Sequence, residues 1–572
     1  MPKKLVIDDF TGGRNTLDSM DLIPSNQHSA GDNVWCELKA LSKRRGFTRV
    51  ASSPDAGNIN SIPEQIFPTN LNNQFTQIIV GRVAAHSQRY LQESADGNSY
   101  EWLYYHVGTA STGGVASTTI TGSGTAWLTH VSVGDYFVRI LGASPNRITA
   151  VNSDTEIIVT TNETITAGST YVIIQAISSA RPASHVSFDV SGVQNAFVCD
   201  GSRVLRVEGV GGVTNSYRAD VQYSMPAFKY MVVFKNYIFG VGHNTTDIRW
   251  CAIKDATSWP SNNFQTVTSL SDAVRGIKVY SDSIIIMTRY RIFRFLGDTF
   301  DPATPTYVLE PIAVPNDFLF TFPRTMVEHL GTLKFLANNG WYSYSGGSGI
   351  DRISDPIRTD VDSFKKLPYE DEAMSDSAVS YVWKDRMWCS VCDNANTPAN
   401  VLNSIYVLDE KNKWWRWGTA QVTTAGEISD FGAAKFGASG SFILKAGNVS
   451  TNKILTLDSG DSDNDGTANA INGNWTSREF VFPEESDIIE CVVYMKKQTA
   501  GNLTFSVSLD RATFIDFTCD MTTGVGTVIK KRIPIGRTAK AIRVKVANNT
   551  AAQTFEIYKI EIVHEASEGV RI

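Results

Sequence analysis

Apolar and polar residues alternate in short runs along most of the chain, and turn-forming residues separate the runs, a pattern typical of β-strands. From residue 195 onward the pattern recurs as units of a hydrophobic strand, a short polar turn and a second strand. The clearest units begin at Asn195, Tyr230, Ser283, Leu333 and Val379, and another strand pair begins at Ser404. A spacing of about 35 to 50 residues is close to that of propeller blades, so the pattern predicts a β-propeller of about six to eight blades.

Three further segments depart from this repeat. Between residues 109 and 179 charged residues thin out and short strands alternate with Gly-, Ser- and Asn-rich turns, which predicts an inserted small SH3-like β-barrel. Beyond a polar acidic stretch, the last hundred or so residues alternate through about eight strands and predict an antiparallel β-sandwich. The predicted fold is all-β, a β-propeller with an inserted small SH3-like β-barrel and a C-terminal β-sandwich. The predicted divisions are 1–50 (extended N-terminal arm), 51–108 (first propeller strands), 109–179 (inserted small β-barrel), 180–457 (β-propeller), 458–473 (acidic linker) and 474–572 (C-terminal β-sandwich).

The N-terminal arm has neither helical nor strand periodicity over most of its length. Glycine, proline and asparagine interrupt it, and single apolar anchors stand between them. The anchors are Leu17, Leu22, Ile23, Val34, Trp35 and Leu38. Because such a segment does not fold alone, we expect it to lie along a scaffold formed by the rest of the chain or by a neighbouring subunit. We also expect a strand from this region to join the last blade and clasp the ring.

Composition narrows the class of protein. The 572 residues carry a formal net charge of −6, with a pI near 5.8. Because neutralising phosphates needs a dense Lys and Arg surface, this balance argues against a protein that grips nucleic acid, although it permits DNA to slide past. The N-terminus lacks the apolar stretch of a signal peptide, and no run of about eighteen apolar residues occurs. We therefore expect a soluble protein made in the cytosol.

The seven cysteines are scattered along the chain and mostly lie within apolar runs. Their odd number and placement favour buried, reduced thiols. Cys389 and Cys392 form an isolated CxxC motif without a second pair. On a strand these two side chains would point to opposite faces, so zinc or redox chemistry is not favoured.

Two polar motifs are candidates for ligand binding. Asp461, Asp463 and Asp465 alternate before a glycine as in calcium loops, but Asn472 stands where a bidentate glutamate is needed. A solvated acidic linker is therefore the competing interpretation, calcium is a weak candidate, and we expect no cofactor. The basic run from Lys43 to Arg45 would meet phosphate, acidic protein or solvent, and a solvated turn is the commoner outcome.

No catalytic motif is recognisable in the sequence. The patterns GxSxG and HExxH and the Walker-type loop are absent, and the histidines are isolated from one another. Trp414, Trp415 and Trp417 could line a sugar-binding surface, although aromatic residues in such strands more often form blade core. A glycosidase needs two inward carboxylates, which a sequence does not reveal. We therefore expect that the protein is not an enzyme, and we assign no catalytic residue.

The arm carries the motif that most resembles a known family. In order, the motif consists of Gly12, Gly13, Asn15 and Thr16, then Asn33 and Val34, then Leu41, Arg44, Gly46 and Phe47. It resembles the N-terminal signature of the tail hub or nozzle proteins of short-tailed bacteriophages, also called DNA-stabilisation or tail tubular B-like proteins. Segments from Ile248, Ile284, Phe335 and Tyr406 resemble propeller segments of that family, and the segment from Arg532 resembles its terminal sandwich. The insert, with Ile120–Leu128 and Gly134-Asp135-Tyr136, resembles small β-barrel modules of phage tail proteins.

The resemblance implies a structural virion protein of a short phage tail. Six copies would form a nozzle or hub ring below the adaptor and portal, which conducts packaged double-stranded DNA and helps to retain it until ejection. The implied partners are further copies in a homo-hexamer, the adaptor and portal complex, tail fibre or tailspike proteins, a plug or needle protein, DNA bound without sequence specificity, and the host outer surface at infection. The implied location is the virion tail, after assembly in the host cytoplasm. The residues assigned to an assembly arm are Gly12, Gly13, Asn15, Asn33, Trp35, Arg44, Gly46 and Phe47.

An acidic chain suits such a conduit, because every Lys or Arg contact with DNA would add affinity and friction. We expect the loops that face the lumen to be acidic or neutral. The alternative is a receptor-binding or glycan-hydrolysing propeller at the tail tip, which would need a concave aromatic pocket with paired carboxylates. A cellular propeller scaffold without a viral role is a further alternative.

Overall fold

A computed structural model provides the structure of the chain. It describes residues 2–37, 39–45, 47–49, 61–71, 74–83, 89–94, 101–103, 109–110, 116–139, 145–177, 182–209, 217–222, 224–242, 245–269, 272–300, 306–364, 378–392, 404–418, 428–436, 441–448, 453–459, 463–464, 468–550 and 553–567. Within these ranges no helix is long and apolar enough to cross a membrane.

Strands dominate the described residues. The arm contains β1 (Lys3–Ile7), β2 (His28–Asp32), β3 (Val34–Glu37), β4 (Ala40–Lys43) and β5 (Phe47–Arg49). The next strands are β6 (Ser61–Leu71), β7 (Gln74–Val83), β8 (Arg89–Ser94), β9 (Glu101–Trp102), β10 (Thr109–Ala110), β11 (Ser117–Ser123), β12 (Tyr136–Val138), β13 (Asn146–Ser153), β14 (Glu156–Glu163), β15 (Val172–Ile174) and β16 (Ala176–Ile177). The central strands are β17 (Ser184–Val190), β18 (Val193–Cys199), β19 (Val204–Gly209), β20 (Tyr217–Val221), β21 (Tyr230–Phe234), β22 (Tyr237–Val241), β23 (Asp247–Trp250), β24 (Phe264–Thr266), β25 (Val274–Tyr280), β26 (Ser283–Thr288), β27 (Ile292–Leu296), β28 (Val308–Ile312), β29 (Val327–His329), β30 (Thr332–Ala337), β31 (Gly340–Tyr344), β32 (Asp351–Arg352), β33 (Val379–Trp383), β34 (Arg386–Val391), β35 (Ser404–Leu408) and β36 (Trp414–Gly418).

The remaining strands are β37 (Ile428–Phe436), β38 (Ser441–Asn448), β39 (Lys453–Leu457), β40 (Asp463–Asn464), β41 (Ala468–Asn469), β42 (Gly473–Ser477), β43 (Phe480–Lys496), β44 (Asn502–Leu509), β45 (Ile515–Asp520), β46 (Val528–Asn548) and β47 (Glu556–Ala566). The described helices are α1 (Trp127–His130), α2 (Arg358–Ser363) and two 3₁₀ turns, Pro323–Thr325 and Asp355–Ile357. The described part of the chain is thus nearly all β, as the sequence predicts.

Seven small sheets within the described ranges form the blades of a β-propeller, and their strands are antiparallel apart from the pair of β40 and β5. Blades two to six each contain four consecutive strands and begin with β17, β21, β25, β29 and β33. The first blade has the order β16-β8-β7-β6, and the last combines β37, β38 and β39 with β5. The innermost strands contact one another in succession, with the 3₁₀ turn Pro323–Thr325 between β25 and β33, and β37 returns to β6. The ring is therefore closed, and stacking buries both apolar faces of each blade.

Tight polar turns connect strands where the hydrophobic pattern predicts them. In the turn between β21 and β22, Lys235 and Asn236 both have positive φ, at 46° and 64°. Lys384 and Asp385, between β33 and β34, have φ of 51° and 55°. Two successive residues with positive φ form a type I′ turn, whose twist matches that of the flanking strands. These turns fix the register of the hairpins and hence the blade faces that pack together.

Strand β5, from the beginning of the chain, completes the last blade. It pairs antiparallel with β39, so that Phe47 lies opposite Leu457. The next described strand, β6, is the innermost strand of the first blade. The clasp expected from the N-terminal region is therefore confirmed, and it joins the two ends of the ring.

The inserted barrel interrupts the first blade between β9 and β16. Its strands have the order β10-β11-β14-β13-β12-β15, and Thr109 bridges to Thr170, so the sheet is nearly closed. Asp135 attaches the barrel to the propeller, because its Oδ1 accepts hydrogen bonds from Arg203 Nη2 at 2.6 Å and from the Ala176 amide at 2.8 Å. The Gly-Asp-Tyr motif of the insert thus supplies a structural contact between barrel and blades.

The C-terminal module consists of six strands of its own and four strands of the arm. Strands β43 and β46 are 17 and 21 residues long, so six strands occupy a segment for which the sequence predicts about eight. Strand β46 pairs with β43 along its first part and with β44 along its last residues. The sheet consequently folds over into two layers around one apolar core.

The arm contains five short strands, although its sequence shows no strand periodicity. Strand β1 pairs with β47, β2 pairs with β42, and the hairpin of β3 and β4 joins β47 through β4. The partners of β1 and β2 lie hundreds of residues away, so local alternation is not required to define these two strands. The stretch expected to be an acidic linker also joins this region, because β40 pairs in parallel with β5.

Candidate functional sites at the arm junction and the propeller axis

The arm junction is the contact of arm residues 12–16 and 28–44 with blade six, the last blade and the C-terminal sheet. At its centre, Arg44 donates from Nη1 to Asp463 Oδ1 at 2.8 Å and from Nη2 to Asp463 Oδ2 at 2.6 Å. Both side chains are only 3% exposed. Bidentate pairing in a buried setting gives this contact geometric specificity as well as charge compensation.

Asn33 connects three segments at the same place. Its φ of 58° turns the backbone, its amide donates to the Arg416 carbonyl at 2.9 Å, and its Nδ2 donates to the Asn472 carbonyl at 3.0 Å. The side-chain oxygen accepts from Arg44 Nε at 2.7 Å. Asparagine tolerates a positive φ and offers both a donor and an acceptor, which explains the residue type at this position.

The paired glycines of the arm motif are required by close backbone approach. A Cβ on Gly12 would lie 2.6 Å from the Asn26 carbonyl oxygen, and a Cβ on Gly13 would lie 3.0 Å from that of Trp414. Gly13 also has a φ of 73°. The motif therefore lets the arm run directly along blade six.

Asn15, next in the motif, organises the turn that follows. Its Oδ1 accepts from the amides of Leu17 and Asp18, and its Nδ2 donates to Gln27 Oε1 at 2.6 Å. The side chain is buried, so these hydrogen bonds satisfy groups that water cannot reach. Asn15 thus shapes the arm internally.

Trp35 anchors the arm in an aromatic cluster of blade six. Its ring centroid lies 5.4 Å from that of Trp417 and 6.2 Å from that of Trp388. The Arg386 guanidinium lies 3.9 Å from the Trp35 ring centroid, a cation–π geometry. The buried Trp414, Trp415 and Trp417 are likewise blade core, as the commoner interpretation of that cluster predicts.

Arg14 and His28 complete the contact between arm and blades. Arg14 donates from Nε to Asp360 Oδ2 at 2.7 Å, which links the arm to helix α2. His28 is buried, and its ring stacks on Trp415 with centroids 5.4 Å apart. Burial, assisted by the nearby Arg14 charge, lowers the pKa of His28 to about 3.

The basic run and the acidic motif meet each other inside the chain. Lys43 Nζ donates to Asn548 Oδ1 at 2.8 Å and to the Gln553 carbonyl at 2.7 Å, and Arg44 is paired with Asp463. The side chains of Lys43 and Arg44 are therefore not solvated, as they would be in an exposed basic turn. Both Asp463 oxygens accept from Arg44, so the geometry does not favour calcium at this residue, and Asp461 and Asp465 lie outside the described residues. No group of potential metal ligands occurs within the described ranges.

The remaining arm residues divide into buried and exposed ones. Phe47 takes part in β5, whereas Gly46 and Leu38 lie outside the described residues. Ile23 and Val34 are buried, but Leu17, Met20 and Leu22 are 49%, 44% and 71% exposed. The apolar anchors of the arm are therefore only partly used within the chain itself.

All seven cysteines lie in the described ranges, and no disulfide joins any of them. Six are buried and Cys36 is half-buried. Cys389 packs between blades five and six, whereas Cys392 packs in the next core toward the last blade. The two thiols thus lie on opposite faces of a blade, as their spacing on a strand predicts.

The second site is the axial cavity, a space of about 470 Å³ at the centre of the propeller. All seven blades contribute to its wall. Apolar side chains dominate the wall, with a few polar and charged groups among them. The charged or ionisable side chains are His185, Lys229, Lys278, Arg324, Tyr230, Tyr381 and Asp430. A cavity of this size and character falls within the range of small-molecule sites.

Asp430 and Arg324 form the ion pair of the axial cavity. Arg324 Nη2 lies 3.1 Å from Asp430 Oδ1, and the Ile66 amide donates to Asp430 Oδ2 at 2.9 Å. Burial raises the pKa of Asp430, although Arg324 opposes the shift. Asp430 is the one carboxylate among the described residues that line the cavity.

His185 and Lys278 approach the cavity from blades two and four. The His185 ring stacks on Phe67 with centroids 4.3 Å apart. Burial and the positive charge of Lys278 lower the pKa of His185 to about 4. No sequence motif marks these residues, because they come from separate inner strands that only the closed ring brings together. Their inward position could not be found from the chain order.

Comparisons with known proteins give only distant matches. No family model and no curated protein matches the chain. Among solved structures, an exo-β-1,3-galactanase from Phanerochaete chrysosporium matches with 10% identity and a TM-score of 0.24, covering 91% of this chain and 100% of its own. The Pan2 WD40 domain from Neurospora crassa matches with 10% identity and a TM-score of 0.24 over 67% and 97% of the two chains. The phage phi92 endosialidase matches with 10% identity and a TM-score of 0.19 over 84% and 65%.

The expectation that the chain is not an enzyme is corrected by these matches. Glycoside hydrolases are among the matched structures, so the expectation of no enzyme is withdrawn. At such scores and identities the matches assign no activity or substrate to it. None of the structures named above is a phage tail hub, and the resemblance of the arm to that family stays a prediction.

Proposed function

We propose that the chain is a subunit of a short phage tail that assembles into a ring-shaped hub or nozzle and conducts double-stranded DNA. The observation that carries the proposal is the two-sided arm. One side is held by the buried Arg44 and Asn33 contacts, while Leu17, Met20 and Leu22 of the same arm are exposed. Single exposed apolar residues are common, but three within six residues favour a contact surface.

The occupant proposed for this surface is a second copy of the chain. The arm is fixed against its own propeller and C-terminal sheet, so it can present these side chains in a defined position without an ordering cost. A ring that guides DNA also needs subunits whose propeller and C-terminal module stay together under mechanical force. The buried arm junction joins these two parts of the chain. The net charge of −6 suits a lumen past which DNA slides.

The test compares assembly of the wild type with a Leu22→Asp variant by light scattering and electron microscopy. We expect the wild type to form rings and Leu22→Asp to remain monomeric with unchanged unfolding, because a charge at the contact would be desolvated. Leu128→Asp, at a 60% exposed position of the barrel, is the matched control and should still form rings. If Leu22→Asp still formed rings, the exposed arm residues would not lie at the contact between subunits.

A glycan-hydrolysing or receptor-binding propeller is the second candidate, and the axial cavity favours it. Asp430 combines burial with a raised pKa, a property that suits a general acid. Its pairing with Arg324 opposes that role, and a two-carboxylate mechanism would need a partner beyond the described lining. A substrate panel of acidic and neutral polysaccharides tests the idea. Turnover that Asp430→Asn abolishes would support it, and no turnover by the wild type would reject it.

A further inference from the structure

The axial cavity contains an excess of cationic side chains. Lys229, Lys278 and Arg324 line it, against Asp430 as the one carboxylate of the described lining. Arg324 and Asp430 are paired with each other. The remaining charge in the described lining is therefore positive, because burial keeps His185 neutral near pH 7.

Lys278 is the most informative of these residues. Among the described residues, no acceptor is hydrogen-bonded to its Nζ. Its positive charge adds to the effect of burial in lowering the pKa of His185 on blade two. Burial lowers the pKa of Lys278, and the charge of Glu328 offsets this only in part. Keeping an ammonium group in such a place is costly unless an anion compensates it.

The rest of the wall would suit the body of a small organic molecule. Phe67 and Met231 supply apolar surface, and Tyr230 and Tyr381 supply hydroxyl groups. Ligand sites typically combine such an apolar wall with a few polar groups that fix orientation. All seven blades contribute, so the cavity exists only in the closed propeller.

We propose that the axial cavity binds a small organic anion whose carboxylate or phosphate group lies against Lys278, with Lys229 as a second cation. A compact ammonium group binds either oxyanion as a point charge, so the shared chemistry is that of an oxyanion. The proposal holds whether the chain is a tail hub or a hydrolase, since it depends only on the cavity.

The test is titration calorimetry on the full chain at low ionic strength with inorganic phosphate, glucuronate and, as a neutral control, glucose. We expect saturable binding of phosphate or glucuronate, or both, and none of glucose. Glucuronate binding alone would identify a carboxylate ligand, and phosphate binding alone a phosphate ligand. Absence of saturable binding of both anions, or glucose binding as tight as theirs, would overturn the proposal.

Variants place the binding in the cavity. Lys278→Gln should weaken anion binding at least tenfold, and Lys278→Arg should retain it. Lys411→Gln, at an exposed turn of blade six, is the matched control and should bind like the wild type. The thermal unfolding midpoint of Lys278→Gln should not fall, because the change removes a half-buried, partly desolvated charge. A loss of anion binding with an unchanged midpoint would therefore not come from misfolding. Wild-type affinity in Lys278→Gln would overturn the assignment.

Discussion

The arm junction and the axial cavity both bury charged side chains, but they treat them differently. At the junction, Arg44 is paired in bidentate geometry with Asp463, and Lys43 donates to three oxygen atoms of the C-terminal module. At the axis, no described acceptor is hydrogen-bonded to Lys278. Paired burial stabilises the fold, whereas the half-buried Lys278, without such a partner, can receive its counter-charge from a ligand.

The largest expected effect comes from breaking the central pair of the junction. Arg44→Ala leaves the buried Asp463 carboxylate without its partner, which should cost about 3 to 5 kcal/mol in unfolding free energy. Chemical denaturation measures this. Lys496→Ala removes an exposed pair with Glu556 and, as the control, should cost about 1 kcal/mol or less. Equal losses in the two variants would mean that the junction is no stronger than a surface contact.

A smaller loss is expected from filling the close approach of arm and blade six. Gly13→Ala meets both an unfavourable φ and the Trp414 carbonyl, and should cost about 2 to 3 kcal/mol in unfolding free energy. Gly124→Ala is the matched control, since Gly124 has a φ of 67° but no neighbouring atom within 4 Å of the position that a Cβ would occupy. It should cost about 1 kcal/mol, and equal costs would argue against tight docking of the arm.

The arm junction and the axial cavity also show which features of the fold the sequence could predict. The strand-turn-strand units and the inserted barrel were predictable, because alternation and turn-forming residues are local properties. The closing strand was expected from the need to close a ring, since its partner β39 lies far along the chain. Strands β1 and β2 of the arm were not predictable, because their hydrogen-bond partners in β47 and β42 are hundreds of residues away. The axial residues were not predictable either, since Lys278 and His185 meet only when seven blades close.

Acid should weaken both regions through one histidine in each, the buried His28 at the junction and the half-buried His185 at the axis. His28 and His185 have folded-state pKa values of about 3 and 4, below the unfolded value of about 6.5. The unfolded state therefore binds more protons, and unfolding free energy falls as pH drops from about 6.5 toward 4. His28→Gln or His185→Gln should each remove about 1.4 kcal/mol per pH unit from that slope in urea unfolding. An unchanged slope would mean that the histidine is not buried neutral.

The smallest stability effect is expected at the axis. Lys278→Gln removes a half-buried, partly desolvated charge without breaking a described hydrogen bond, so unfolding free energy should stay the same or rise by about 1 kcal/mol. Denaturation in the absence of anions measures it. A loss as large as that of Arg44→Ala would mean that Lys278 is a structural residue, and the contrast between the two regions would fail.

The proposed role in a ring depends on assembly, and electron microscopy of the purified protein tests it most directly. The account predicts sixfold rings with an axial channel, in which the exposed arm residues Leu17, Met20 and Leu22 lie at the contact between neighbouring subunits. A protein that stays monomeric at high concentration and in the presence of its portal and adaptor complex would contradict the account.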